Sequence, residues 1–249
     1  YKFKIQQNIE PSAWRLTKKA FEQAREKKAD YIIVELNTYG GMVNIADSIR
    51  TAFLNSKIPI IVFITNNAAS AGALISIAAD SIYMKEGSSI GAASVVNQEG
   101  EIMPEKYQSY MRSTMRATAE AKGKKVIVEG EDTTRIWRRD PRIAEAMVDP
   151  RITIEGITDS TEIITFTAQE ALKYGYCEAK AKDLNEVLEK ANIKNPKIKT
   201  HEVTALDNII GFLISPALQG ILIMIIVGGI YFELQSPGLG FPIIAAITA

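Results

Sequence analysis

The chain is 249 residues long, room for one large domain or two small ones, and its 29 basic side chains balance 29 acidic ones. That balance argues against nucleic acid as a main partner. A single cysteine, Cys177, excludes an internal disulfide framework and any cysteine-rich metal site, and a single histidine, His201, leaves a serine–histidine hydrolase one base to draw on.

In chain order, Phe3–Ile9 roughly alternates apolar and polar residues and predicts an edge strand. Glu10-Pro11-Ser12 opens a helix to Lys28, with Trp14, Leu16, Ala20, Phe21 and Ala24 as its inner face. Asp30–Leu36 reads as a buried strand. After Asn37-Thr38-Tyr39-Gly40-Gly41 a helix runs from Met42 to Leu54, and Met42, Ile45, Ala46, Ile49 and Phe53 point inward at helical spacing. Ile58–Thr65 predicts a strand buried on both faces, and Asn66–Ala69 turns it into a helix over Ala71–Ala79. Strands separated by single helices imply parallel β-α-β units, an α/β fold. A short strand, Ser81–Met84, follows, then a turn-rich link over Gly87–Gly91 into Ala92–Val96 and an exposed hairpin tip at Asn97–Glu101. Pro104 starts a long helix to about Lys122, and Asp140–Asp149 is another. Ile163–Phe166 is a strand, and Thr167–Tyr174 a helix with Thr167 and Glu170 as a capping box and Gly175 as its stop. Leu184–Ala191 forms a last amphipathic turn or two.

The character then changes. A domain over 1–192 gives way to a basic, polar linker over 193–205 carrying Lys194, Lys197 and Lys199, with His201 beyond the globular part. From Asn208 through Phe232 no side chain is charged, about 25 residues, enough to cross a hydrocarbon layer of ~30 Å. The expectation for 206–249 is a membrane region. Pro216 splits it into an interfacial helix, Leu206–Ser215, and a spanning helix, Ala217–Leu234. Ser236–Gly240 reads as a turn and Phe241–Ala249 as the start of a second span. A buried core helix is the alternative; the length and the Gly228-Gly229 pair favour the membrane. Opening at Tyr1 is expected where an initiator or signal segment has been removed or lies outside this sequence.

One serine, Ser70, sits where a buried strand becomes a buried helix. A hydroxyl there can attack a carbonyl, and the N–H of Ala71, at the positive helix end, can receive the oxyanion. The plainer reading is a helix N-cap in a crowded turn. A serine needs a base, and without a placed histidine the remaining choice is a lysine kept neutral. Lys106 falls in the first turn of the Pro104 helix, where the helix dipole disfavours a second positive charge, and Tyr107, Tyr110 and Met111 can shut out water. Against this, a solvated surface lysine stabilised by Glu105 accounts for the same residues. Gly40-Gly41, between strand and helix, offers backbone N–H groups to an anionic oxygen, or is simply a tight turn. No cofactor or metal site is expected.

Asn37-Thr38-Tyr39-Gly40-Gly41, Asn67-Ala68-Ala69-Ser70-Ala71-Gly72 and Ser89-Ile90-Gly91-Ala92, in this order, resemble Clp-like serine proteases. With Pro104-Glu105-Lys106, the Thr167–Gly175 segment and the Phe232–Gly238 tail, nearly the whole chain is similar to the NfeD family of membrane-bound Ser–Lys proteases. The resemblance implies a Clp/crotonase-like β-α spiral followed by a helical membrane segment. It implies Ser70 as nucleophile, Lys106 as general base, Gly41 and Ala71 N–H groups as oxyanion hole, and Gly40, Ile90, Gly91 and Ala92 as substrate-binding backbone. It further implies hydrophobic polypeptide substrates, a stomatin- or flotillin-like (SPFH) membrane partner, a lipid bilayer, and a homo-oligomer whose catalytic domain lies outside the cytoplasm. Two departures stand out: Tyr39 occupies a position where the family often has proline, and Thr133–Thr161 is longer than in compact relatives, as a cover for the site or an oligomer contact.

A catalytically silent scaffold of the same shape that binds a stomatin-type protein is the competing reading. A crotonase-type acyl-CoA enzyme is a third, for which the membrane tail has no role.

Overall fold

Branched apolar residues dominate the strands of the sheet, and their alternation decides which helices cover each face. β1 (Lys2–Ile5), β2 (Ile32–Thr38), β3 (Ile60–Ala69), β4 (Ser81–Met84) and β9 (Ala179–Lys180) lie side by side in that order, all parallel. The computed structural model describes residues 1–129, 132–158 and 161–235, in two compact units, Tyr1–His201 and one beginning at Glu202. The turn at Ser236–Gly240 and the span start at Phe241–Ala249 lie outside the described residues.

α1 (Pro11–Glu26) and α2 (Val43–Leu54) make the expected parallel crossovers, and α3 (Ala71–Ile77) leads from β3 to β4. Ile32, Val34 and Leu36 of β2 join Ile60, Val62 and Ile64 of β3 in the larger core, under α1, α2 and α3. The intervening Ile33, Ile61 and Phe63 face the other way, onto Val187 and Leu188 of α7 (Leu184–Lys190). This period-two division makes β2 and β3 read as unbroken apolar runs, buried on both faces.

β3 is longer than the apolar run that announces it. Beyond Thr65 its last residues pair with β5 (Ser89–Gly91), Asn67 opposite Ser89 and Ala69 opposite Gly91. β8 (Thr165–Thr167) pairs antiparallel with β5, so a small second ladder wraps the far end of β3. Ser89–Gly91, read from the sequence as part of a turn-rich link, is thus a strand, while Ala92–Val96 lies outside the named strands. Asn37 and Asn67 brace this end: Asn37 Oδ1 accepts the Asn67 N–H at 3.1 Å, and Ser89 Oγ donates to Asn67 Oδ1 at 3.2 Å.

α4 (Glu105–Ala121) packs Met111, Met115 and Ala119 into the larger core beside α5 (Pro141–Ala146). Between them an unanticipated hairpin, β6 (Lys124–Glu129) and β7 (Asp132–Trp137), forms a separate two-stranded sheet. The Thr133–Thr161 segment therefore begins as a strand, and its Arg139 is wholly buried, donating to Ala79 O at 3.0 Å and Glu178 at 3.2 Å. α6 (Ala168–Lys173) carries the expected Thr167–Glu170 capping box. Met42, expected inward, is instead 42% exposed at the N-cap of α2. There its N–H is given to Ile9 O, which holds the backbone and leaves the side chain outside.

His201 is buried, not beyond the globular part. Its N–H donates to Lys2 O at 2.7 Å, Lys2 N–H donates to Lys199 O at 2.8 Å, and Thr200 pairs with Lys2 as a parallel bridge. The chain thus adds one more strand segment to the outer edge of β1 before the first unit ends.

In the second unit, α8 (Ala205–Leu213) opens on a Thr204–Asp207 capping box and α9 (Pro216–Gln235) begins at the proline expected to break the helix. Among the described residues no single helix is long and apolar enough to cross a membrane. Ala205–Leu213 and Pro216–Phe232, bent by 50° at the break, pass that test together by length and composition. Apolar side chains such as Phe212, Ile223, Met224 and Val227 are exposed, which a water-facing helix rarely tolerates over this length.

Candidate active site

Ser70 is the hinge between β3 and α3, at φ 53° and ψ −115°. A non-glycine residue at positive φ costs of order 1–3 kcal/mol and persists only where its surroundings hold it. Here Gly91 O accepts the Ser70 N–H at 2.9 Å, and Ser70 O accepts the N–H groups of Ala73 at 3.0 Å and Leu74 at 3.3 Å. The main chain of Ser70 therefore caps α3, but its side chain makes no cap hydrogen bond. That disposes of the side-chain N-cap reading: among the described residues, Oγ is engaged with no hydrogen-bond partner. α3 is buried from Ala71 to Ile77, and a Cβ on Gly72 would stand 2.7 Å from Thr38 Cγ2.

The glycine pair follows β2, with Gly40 at φ 123° and Gly41 at φ 151°. Thr38 Oγ1 accepts the Gly40 N–H at 3.1 Å; Gly40 O accepts the Ile9 N–H, and Ile9 O the Met42 N–H, each at 2.8 Å. Those bonds fix the loop while leaving the Gly41 N–H without an acceptor among the described residues. The Ala71 N–H, in the first turn of α3, is likewise undonated, as helix starts require. A Cβ built on Gly40 would sit 2.8 Å from Ser70 Cβ and 3.2 Å from Oγ, so this loop lies against the serine. Such N–H groups beside a free hydroxyl can bind a carbonyl oxygen as it becomes an oxyanion.

β5 closes the other side. Gly91 touches Ser70 through its carbonyl, and Ala92, at φ 49°, donates its N–H to Ile164 O at 3.1 Å. Ile90 lies between Ala68 on one side and Phe166 on the other, and its side chain is fully buried in the core, so it offers a substrate neither a side chain nor a free strand edge.

Lys106 is not bonded to this cluster. It is exposed in the first turn of α4, and no hydrogen bond or ion pair joins it to Ser70 or to any carboxylate among the described residues. Pro104 is the N-cap of α4 rather than its first residue. Tyr107 and Tyr110 are 47% and 57% exposed and Met111 is in the core, so none of the three covers the amine. Glu105 does not neutralise it either. Its carboxylate accepts from Arg112 Nη2 at 2.6 Å and from Arg151 Nη2 at 2.9 Å, and both arginines also hold buried Asp149, at 2.5 and 2.6 Å. The hydrogen bonds from Arg112, then Arg151, draw the Glu105 carboxyl below its usual range. The Arg151 hydrogen bond, partly opposed by burial, pulls Asp149 down to about 2.

A residue not anticipated from the sequence ties the two halves together. Gln108 is buried one turn along α4; its Oε1 accepts the Val95 N–H at 3.0 Å, and its Nε2 donates to Val95 O at 2.7 Å and Met103 O at 3.1 Å. It anchors the Lys106 turn to the segment that leaves Gly91 and Ala92. Its place on the Gln108-Met111-Met115 face was the available signal. His201, at the outer edge of β1, has its Nδ1 3.0 Å from Tyr1 Oη and is not joined to Ser70. Among the described residues no group of three or more His, Cys, Asp or Glu side chains is placed to hold a metal ion.

Comparison with known proteins bears on this geometry. The family model described as "NfeD1b, N-terminal domain" matches residues 1–201. The membrane protein NfeD1b of Bacillus subtilis is 30% identical over 250 residues, covering 100% of this chain and 54% of that protein. The membrane-bound protease PH1510 of Pyrococcus horikoshii is 32% identical over 183 residues, 70% of this chain and 35% of that one. The chain thus spans about half of one relative and a third of the other. Among solved structures, a mutant of the 1510-N membrane-bound stomatin-specific protease, in complex with a substrate peptide, superposes with a TM-score of 0.68 at 25% identity, covering 86% of this chain and 96% of that one. ClpP1 from Listeria monocytogenes shares the fold, with a TM-score of 0.52 at 18% identity over 74% of this chain and 92% of that one.

Proposed function

The chain belongs to the NfeD1b family, and from that membership and the turn at Ser70 we propose that it is a membrane-anchored serine endopeptidase. The observation that carries the reading is the free Ser70 hydroxyl on a strained turn, flanked by the Gly40–Gly41 loop and two undonated N–H groups. In this reading Ser70 Oγ attacks a peptide carbonyl and its proton passes to a neutral Lys106 amine. The oxyanion is met by the N–H groups of Gly41 and Ala71, and the tetrahedral adduct breaks its C–N bond as Lys106 returns the proton to the leaving amine. Water then repeats the sequence on the acyl-enzyme. In this reading Gly40, Ile90, Gly91 and Ala92 line the substrate's path, although the Gly40 N–H, the Gly91 carbonyl and the Ala92 N–H are already bonded within the chain.

An exposed amine is not a base at neutral pH, so Lys106 has to lose water when substrate or a second copy covers the first turn of α4. Resting sites are often looser than working ones. The substrate class is an apolar polypeptide segment, and the partner a stomatin- or flotillin-like membrane protein. The substrate peptide and stomatin specificity of 1510-N support a peptide substrate and a stomatin partner, while the apolar character rests on the family resemblance. The apolar α8–α9 pair supports a membrane anchor; that the catalytic unit lies on the outer side of the bilayer rests on the family resemblance alone.

The test is cleavage of an apolar peptide by the detergent-solubilised chain. Ser70→Ala is expected to abolish it, and Lys106→Ala to lower it by at least about a thousandfold without changing the fold. The rate should rise with pH over roughly pH 6–9 as the amine deprotonates. Cleavage that survives Ser70→Ala would sink the nucleophile assignment. One observation favours the silent scaffold: Lys106 is exposed and unconnected to Ser70. Under that reading no peptide is cut, yet the stomatin-type protein still binds.

A further inference from the structure

Two surfaces far from each other are unexplained by the packing of a single chain. The first is a cleft of about 520 Å³ between α1 and the end of α2. Trp14, Phe21 and Ile58 give it apolar walls, and Lys18, Arg25 and Lys57 ring it, with Glu22 the one carboxylate among its lining residues. Lys18 Nζ lies 5.3 Å over the Trp14 ring, and none of the three cations forms an ion pair among the described residues.

The second is the turn between β5 and α4. An antiparallel bridge between Val96 and Ile102 closes it, and Asn97 Oδ1 accepts the N–H groups of Glu99 at 3.1 Å and Glu101 at 2.8 Å. It is an ordered tip, not a slack loop. Ile102 is 75% exposed and Val96 49%, while Glu99 and Glu101 meet no cation among the described residues. An acidic tip with a projecting isoleucine matches a basic cleft with apolar walls in charge and in apolar character.

We propose that the Val96–Ile102 tip of one copy docks into the α1–α2 cleft of the next, Ile102 against Phe21 and Ile58, Glu99 and Glu101 against Lys18, Arg25 and Lys57. A chain cannot fill its own cleft. The cleft lies where β2 and β3 begin and the tip leaves from the Gly91 end, so the ten residues of β3, ~30 Å of strand, separate them. Two different surfaces meeting head to tail repeat from copy to copy, closing into a ring or running on as a filament. The tip also lies between Ala92 and the first turn of α4, so docking brings a second copy against the span joining the Ser70 turn to Lys106. The contact stands whether or not those two residues are catalytic.

The test is a directed crosslink in the full chain in detergent. Ile102→Cys and Asn55→Cys variants are mixed and oxidised; Cys177 is buried and stays out of the reaction. A disulfide-linked heterodimer is expected in the mixture and not in either variant alone. Glu99→Lys with Glu101→Lys in the first variant should cut its yield at least about tenfold, and Lys18→Glu with Lys57→Glu in the second should restore it. Higher salt should weaken it. A chain that sediments as a monomer with no crosslink overturns the proposal, as does a crosslink indifferent to the one-sided reversal. Capture of anionic vesicles by a monomeric chain, lost on Lys18→Glu, overturns it too, by giving the cleft a lipid partner. Ser70→Ala and Lys106→Ala chains should assemble like the parent, which keeps failure here distinct from failure of the protease reading.

Discussion

Gly40 and Gly41 are neighbours whose replacement by alanine should fail in different ways. A Cβ on Gly40 collides with the Ser70 side chain, at 2.8 Å from Cβ, whereas one on Gly41 meets the Ile9 backbone, at 2.4 Å from its carbonyl oxygen. Rotation moves Ser70 Oγ but not its Cβ, so the first substitution must displace the serine turn itself, whereas the second drives into main chain bonded to Gly40 and Met42. Gly40→Ala should therefore lower kcat/KM on an apolar peptide at least about tenfold, with a stability loss of about 1–2 kcal/mol from its positive φ. Gly41→Ala should cost about 3 kcal/mol or more and show first as a lowered Tm. A fully active Gly40→Ala would mean the loop does not abut the reacting serine. At this scale the sequence is informative where chemistry is local: strand, small residues, serine and helix run in one short stretch, so the Ser70 turn is visible without coordinates. Thr38 and Gln108 were not visible in the same way, because what they bind is set by folding, not by their neighbours in the chain. Lys106 is intermediate. Its helical position is legible, but its exposure and the diversion of Glu105 to Arg112 and Arg151 depend on a turn at Asp149 that only the fold brings near.

Among elements, α4 shows how a candidate residue can be anchored by others. Gln108 fastens one side of its first turn, and the Glu105–Arg112–Asp149–Arg151 cluster fastens the other. Asp149 carries the pH dependence of that cluster. Its carboxyl titrates at about 2 in the folded chain against an ordinary 3.8. A depressed carboxylate contributes stability that is present above the unfolded value and lost as pH falls through the folded one, so the cluster should weaken between roughly pH 4 and pH 2. The difference corresponds to about 2 kcal/mol. Asp149→Asn should lower the unfolding free energy measured in urea by that order at neutral pH, with a deficit that shrinks toward pH 2; a constant deficit would show that packing, not charge, is what the substitution removes. The hairpin β6–β7 went unread for a related reason. Lys124-Lys125 and the threonines of β7 carry little apolar alternation, and among the described residues each strand has only the other to pair with. β3 was read too short because its last residues owe their extended form to β5, more than twenty positions onward in the chain.

For the molecule as a whole, the question is where the folded unit ends. The composition shift places a linker from residue 193, yet the chain stays attached to the sheet through His201, and the family match stops at the same residue. Lys199, Thr200 and His201 pair with Lys2 along the exposed side of β1, and His201 packs edge-on against Tyr1 at 6.1 Å between ring centroids. Polar, lysine-rich sequence hides this because an edge strand needs backbone groups, not apolar side chains. Truncation gives the test. A chain ending after His201 should fold, unfold cooperatively and remain in solution without detergent, since it keeps both cores and leaves out the exposed apolar side chains of α8 and α9. One ending after Lys197 loses two strand hydrogen bonds and the burial of His201, and should be less stable by about 1–3 kcal/mol. Hydrogen exchange at the Lys2 amide, whose acceptor is Lys199 O, should accelerate in the shorter chain alone. Equal melting of the two truncations, with Lys2 equally protected, would place the end of the unit before the segment that pairs with β1.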